Sequence, residues 1–289
     1  MTIEPTAHSR RTAWRKAKSD LMMGVTVLAT VITLFPLFVI LAYLIAKGAS
    51  SLNLAFFTHM PAPVGEKGGG MANAIVGTLE LIGLASLMGV PVGIGSGMYL
   101  AAHRGSRLAG AARFGADVMM GVPSIVVGIF AYAVVVRPMG GFSTLAGAVA
   151  LAVIMVPLVT RTTEEMLLLV PQELREAALA LGVSGWRTTL LVVARTAASG
   201  IATGAILAIA RIAGETAPLL FTAFGNRFWS TSLTKPIASL TVQVYTYAIS
   251  PFPDWQRQAW AGALVLTTIV LALELGVRWV TRESARVVR

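Results

Sequence analysis

Six apolar stretches of about twenty residues or more alternate with short polar segments along the chain. They run from about Leu21 to Ala46, Asn73 to Leu100, Phe114 to Val136, Phe142 to Thr160, Ala198 to Phe224 and Ala259 to Val280. A helix needs about 20 apolar residues to cross ~30 Å of hydrocarbon, so the pattern predicts an all-α polytopic membrane protein with about six spanning helices. Pro91, Pro123 and Pro157 fall inside spans and predict kinks whose freed carbonyls need neighbours. Gly89, Gly93 and Gly97 lie at successive i+4 positions, as do Gly200, Gly204 and Ala208. Such stripes let two helix backbones approach closely where no hydrophobic effect drives association. The plain reading is helix packing; the sharper one is a surface that slides during transport. No internal repeat is visible.

Composition agrees with a lipid-solvated chain. Of the 289 residues 56% are hydrophobic and 12% charged, and mean hydropathy is +0.76, whereas soluble domains carry about 25% charged residues. The net charge of +10 raises nucleic acid as a partner, but the charges cluster at span ends, where membrane lipid is the partner and no nucleic acid is expected. Counted against the positive-inside rule, one set of segments holds Arg10, Arg11, Arg15, Lys16, Lys18, Arg104, Arg107, Arg113, Arg161, Arg175, Arg187, Arg195, Arg278, Arg282, Arg286 and Arg289. The other holds only Lys47, Lys67, Arg137, Arg227, Lys235 and Arg257. Both termini are therefore expected in the cytoplasm. The first apolar run is about twice the 7–15 residues of a signal-peptide core, which predicts a retained helix. The resulting division is a basic tail over 1–20, a transmembrane domain over 21–282 and a tail over 283–289. There is no cysteine, and His8, His59 and His103 stand apart in loops, which argues against a metal site.

One loop, about 161–195, is too long to be a mere connection and is internally patterned. Pro171 suits a first helical turn, and Glu173 favours the positive end of the helix dipole. Leu174, Ala177, Ala178 and Leu181 share a helical face, Gly182 stands where a left-handed cap would end the helix, and Ser184 can cap a second helix with Trp186 and Arg187. Glu176-Ala177-Ala178, followed by Gly182 and then Val192, resembles the EAA loop of ABC-importer permeases. That resemblance implies a short helix docking on a cytoplasmic ATPase subunit. The family pattern usually ends in Leu-Pro, where Ala194-Arg195 stands here.

Further segments narrow the family. They are Ala210-Arg211-Ile212-Ala213-Gly214-Glu215-Thr216-Ala217-Pro218, Lys235-Pro236-Ile237-Ala238-Ser239-Leu240, Ala248-Ile249-Ser250-Pro251 and Gly121-Val122-Pro123-Ser124. From about Met71 onward the chain resembles the A-type permease family of bacterial phosphate ABC importers. The resemblance implies a type I importer permease (MetI-like) fold in the bacterial inner membrane and a heterodimer with a C-type permease. It further implies two ATPase subunits that bind ATP and Mg, and a periplasmic phosphate-binding protein. No cofactor is expected in this chain, which is read as a non-catalytic subunit: it has no Gly-x4-Gly-Lys-[Ser/Thr] phosphate loop.

Arg211 and Glu215 are spaced i, i+4 in the fifth span and can pair on one helix face. A mid-span guanidinium costs from ~3 kcal/mol upward, so the pair either locks helix packing or lines the translocation path or its gate. Arg161, at the start of the patterned loop, can meet outgoing anion, snorkel to headgroups, or pair with Glu164 or Glu165. Asp117 and Glu274 are expected near water, and Glu80 lies deeper. Gly68-Gly69-Gly70 reads as a flexible outer loop. The outer segment from Arg227 to Trp260 is rich in aromatics, with Ile237, Leu240 and Val244 at helical spacing. Its roles are interfacial anchor, gate scaffold or binding-protein contact. Rival functions are a permease for sulfate or molybdate and an ion-coupled secondary transporter, the latter disfavoured by the missing repeat.

Overall fold

The computed structural model describes residues 7–287, with side chains described for 11, 12 and 14–276. The side chains of Arg10, Arg278, Arg282, Arg286 and Arg289, which entered the charge argument, lie outside the described residues, as do those of His8 and of the whole 283–289 tail. The long helices are α1 (Ala7–Gly48), α3 (Ala72–Ala102), α6 (Thr144–Leu168) and α12 (Pro253–Val287). A short α2 (Leu54–Thr58) precedes α3. Between α3 and α6 the chain forms α4 (Arg107–Gly121) and α5 (124–139, through a π-helical turn at Tyr132–Val136). After α6 come α7 (Gln172–Ala180), α8 (185–196, with a π-helical stretch at Thr188–Val193) and α9 (Ala198–Ala213). Then α10 (Ala217–Thr222) and α11 (Leu240–Ala248) lead into α12. Among the described residues four helices are long and apolar enough to cross a membrane by themselves, and up to six spans result if each bent pair counts as one.

Those bent pairs are where the expected spans change shape. The third is α4 and α5 meeting at 106°, because Val122-Pro123 stands in extended conformation and Pro123 supplies no amide hydrogen. The fifth, expected to run unbroken to Phe224, is α8 and α9 joined at 73° and then interrupted again after Ala213. In contrast α6 absorbs its proline: Pro157 lies inside a continuous helix.

Helix α6 is the centre of the bundle. Its start is fixed by Ser143, whose hydroxyl accepts from the Ala146 amide at 3.1 Å. The two glycine stripes pack on it from two sides, which supports the plain packing reading. A carbon added at Gly93 would lie 2.6 Å from Val159 Cβ, and one at Gly97 would lie 2.5 Å from the Thr160 carbonyl oxygen. On the other side, carbons at Gly200 and Gly204 would lie 2.5 Å from Met166 Sδ and 2.6 Å from Thr162 Oγ1. The contacts climb together for α3 and in opposite sense for α9, so α3 runs parallel to α6 and α9 antiparallel. Leu81, Ala85, Leu151, Met155, Val159, Ala208 and Ile212 fill the space between these helices.

The 68–70 glycines do not form the open, flexible loop expected. Gly69 bridges to Pro61, and carbons at Gly69 and Gly70 would lie 2.3 Å from the Ala62 nitrogen and the Ala55 carbonyl oxygen. Close backbone approach is what Gly69 and Gly70 supply, whereas Gly68, at φ +93° with nothing within 4 Å, supplies a left-handed turn. Helix α1 packs on α12 through Gly48 and an edge-on contact of Tyr43 with Trp260, and is otherwise uncovered.

Candidate coupling loop and translocation face

The α7–α8 hairpin leaves the end of the bundle where α3 and α6 finish. Pro171 precedes the first turn of α7, and Glu173 occupies that turn. The helix ends in a Schellman turn: Gly182 N–H donates to Leu179 O at 2.9 Å and Val183 N–H to Ala178 O at 3.1 Å. Gly182 has φ +80°, the left-handed value the sequence spacing anticipates. Ser184 marks the start of α8 through its carbonyl, which accepts from Thr188 N–H; its hydroxyl makes no cap. The expected apolar face is only partly covered by this chain. Ala178 is buried, while Leu174 is 44% and Leu181 85% exposed. Glu176 and Ala177 are also exposed, and Leu179 and Trp186 add apolar surface beside them.

Arg161 does not begin the loop. Helix α6 continues two turns past it to Leu168, because Thr163, Glu164 and Leu167 still face the core. Arg161 belongs instead to an ion-pair network joining α6 to α4. Glu164, 1% exposed at its side chain, accepts from Arg113 through Oε1 (2.9 Å from Nε, 2.6 Å from Nη2) and from Arg161 Nη1 through Oε2 at 2.5 Å. Arg161 Nε also meets Asp117 Oδ1 at 2.9 Å. Arg161 thus forms the expected pair with Glu164. Sequence reading missed Arg113 and Asp117 as partners. Their i, i+4 spacing on α4, set against Arg161 and Glu164 at i, i+3 on α6, was the available signal.

The expected Arg211–Glu215 pair is not formed. Helix α9 stops at Ala213, Gly214 caps it, and Glu215 sits past the end, where its carbonyl accepts from Thr241 Oγ1 at 3.1 Å. The physical reason is Pro218: at the second position of α10 it cannot continue α9, and the chain restarts with a new first turn. Arg211 is exposed, has no ion pair among the described residues, and borders a pocket of about 240 Å³ whose other walls are apolar, including Met119, Val127, Phe130, Ile154 and Leu158, with only Ser124 polar. Gly204 lies opposite Thr162, so Arg211 stands seven residues, about 10 Å of helix rise, beyond the level of Arg161. The two arginines are thus staggered along the bundle: one neutralised in a network, the other unpaired. Glu80 and Glu274 are half-buried and make no ion pair among the described residues. No group of three or more metal-ligating side chains occurs among the described residues.

Comparison with known proteins gives a consistent picture. Residues 89–286 match the family described as binding-protein-dependent transport system inner membrane component. The phosphate transport system permease protein PstA of Yersinia pestis is 49% identical over 267 residues, covering 92% of this chain and 90% of that protein. PstA of Haemophilus influenzae is 47% identical over 274 residues, covering 94% and 97%. A probable PstA of Methanocaldococcus jannaschii is 34% identical over 273 residues, covering 94% and 96%. Among solved structures, a chain of the MetNI methionine ABC transporter in an inward-facing conformation superposes with a TM-score of 0.61 at 19% identity. It covers 74% of this chain and 96% of that one. The fold is therefore that of the MetI-like permeases.

Proposed function

Since the chain belongs to the inner membrane components of binding-protein-dependent transport systems, and within them to the PstA permeases, we propose that it is the permease subunit through which an ATP-driven importer moves inorganic phosphate. The α7–α8 hairpin lies on the cytoplasmic side, with both termini, and docks on one of two ATPase subunits that bind ATP and Mg. Glu176 offers it a carboxylate, Ala177 and Ala178 allow close approach, and Gly182 sets the turn. Exposed Leu174, Leu179 and Leu181 supply the apolar part of that contact. A C-type permease completes the path as the other half of a heterodimer, and a periplasmic phosphate-binding protein delivers the anion.

The observation that carries the reading is the unpaired guanidinium of Arg211 on an otherwise apolar, uncovered face. Left against lipid it would cost from ~3 kcal/mol upward; facing a water-filled path between two permeases it is solvated and attracts an anion. Glu215, freed from pairing, stands just past the helix end, where its charge keeps the path from holding phosphate tightly, as release requires. Arg161 is the next cation along the bundle, already balanced by Glu164 and Asp117. The test is phosphate uptake by a reconstituted importer carrying Arg211→Ala, with sulfate as competitor. Uptake should fall at least tenfold with assembly intact; wild-type uptake by an assembled variant overturns the role of Arg211, and preference for sulfate overturns the substrate.

A further inference from the structure

The end of the bundle opposite the α7–α8 hairpin holds a second concavity, of about 300 Å³, separate from the Arg211 pocket. Its polar lining is Asn226, Arg227, Ser239, Gln243, Thr246 and Tyr247, and no carboxylate lines it. Arg227 has no ion pair among the described residues. Its guanidinium is steadied 4.9 Å from the Trp255 ring centroid, and Tyr247 stacks on the same indole at 4.4 Å and 10°. Both donors are therefore positioned by one buried aromatic side chain.

Tyr247 is 3% exposed, and its hydroxyl lies near the Gln243 side chain without a hydrogen bond of good geometry. An unmade buried hydrogen bond is destabilising unless something fills it. Burial pushes the hydroxyl's pKa above its usual value, so it remains a protonated donor at neutral pH. The pocket's rim carries the only non-glycine residue with positive φ among the described residues, Phe224 at +63°. That turn is fixed by Asn226, whose Oδ1 accepts from Phe228 N–H and whose Nδ2 donates to Pro236 O. Asn73 Nδ2 in turn donates to Asn226 O. Local strain of this kind persists where surrounding structure over-determines it, and clusters at ligand clamps.

We propose that this pocket is an oxyanion subsite in which Arg227 and Tyr247 donate to a phosphate group. Gln243 and Ser239 offer acceptors for the proton that hydrogenphosphate carries and sulfate lacks. Free phosphate as the ligand rests on the import reading above; a phospholipid headgroup presents the same chemistry at this end of the bundle. In the first case the subsite holds the anion on the outer side before it reaches Arg211.

The experiment uses the whole importer without its binding protein, in an Arg211→Ala background so that the other arginine does not contribute. Binding of radiolabelled orthophosphate, the thermal unfolding midpoint with and without orthophosphate, and co-purifying phospholipid are measured for Arg227→Gln and Tyr247→Phe. Orthophosphate should bind about tenfold more weakly to each variant, the loss expected for one charge-assisted hydrogen bond. Phosphate-free Tyr247→Phe should melt no lower than its parent, because it loses only a poorly aligned contact with Gln243, yet should gain no stability from phosphate. If bound phospholipid falls while orthophosphate binding is unchanged, the headgroup is the ligand and the subsite stands. The proposal is overturned if neither ligand responds to either variant, or if Tyr247→Phe lowers the midpoint equally with and without phosphate. Failure of the import reading shows separately, as a parent complex with native Arg211 that takes up sulfate in preference to phosphate.

Discussion

Replacing Glu164 with Gln removes the one anion on which two arginines converge. The substitution keeps the shape of the side chain and deletes its charge, so the change reads electrostatics rather than packing. Glu164 accepts three hydrogen bonds, at 2.5, 2.6 and 2.9 Å, with its side chain 1% exposed. Breaking a fully buried pair costs about 3–5 kcal/mol. Here the arginine side chains are 29% and 22% exposed, so water screens part of the loss, and Arg161 keeps Asp117. A cost of about 2–3 kcal/mol follows. Scaled as for a soluble domain of similar size, that lowers the unfolding midpoint by about 3–5 °C, measured by tryptophan fluorescence in lipid nanodiscs. Asp117, 46% exposed at its side chain, meets Arg161 only, so Asp117→Asn should cost less than about 1 kcal/mol. A Glu164→Gln midpoint within a degree of wild type, or equal losses for the two variants, would refute the assignment of Glu164 as the hub.

Gly97→Ala should destabilise the bundle by about 1–3 kcal/mol, because the new carbon falls 2.5 Å from the Thr160 carbonyl oxygen. Gly95→Ala, which meets nothing within 4 Å, should be neutral or stabilising by up to about 1 kcal/mol; the two melting curves, compared side by side, check this. Gly182→Ala puts a side chain at φ +80° with open space around it, a strain cost of about 1–2 kcal/mol confined to the hairpin. Combined with Glu176→Ala it should reduce ATP hydrolysis by the assembled importer several-fold, and unchanged hydrolysis would sink the docking role. Phe224→Gly relieves the +63° backbone but loses the stack on Phe142, with centroids at 4.8 Å. The two terms are each about 1 kcal/mol, so the measured stability should move by less than that.

How much of this was legible in the sequence depended on the range of the interaction. The α7 helix and its stop were readable because a Schellman turn is decided within a few residues, by Gly182 and the apolar positions before it. The glycine stripes announced close packing but not their partner, since nothing in one sequence says that Gly93 meets Val159 and Gly204 meets Thr162. The Arg211–Glu215 pairing failed through a local signal given too little weight: Gly214 followed by Pro218 is a stop and a restart, and helical spacing means nothing across it. Arg113 and Glu164 are 51 positions apart, and their meeting depends on the 106° bend that turns α4 alongside α6. The second pocket was hidden for a related reason. Its aromatics read as an interfacial belt, and only the folded chain buries Tyr247 and Trp255 while leaving Phe228 and Trp229 exposed.

The contrast between α6 and its neighbours sets where the molecule can yield. The bent pairs have joints, at Val122-Pro123 and at Ala197, where a change of angle needs only a few dihedrals. Helix α6 has none, although Pro157 removes one rung from its ladder. It is tied at its start, where Thr144 N–H and Leu145 N–H donate to Lys235 O and Leu233 O, and at its other end it leads directly into the hairpin. It therefore acts as a pushrod flanked by two elbows. A rigid displacement of the hairpin would be carried along α6 to the segment around Lys235 tied to its start, while the elbows take up the angular difference. By linkage, a ligand that binds differently at two positions of α6 would bias the hairpin by the same free energy, and a single stiff member is what would carry that bias.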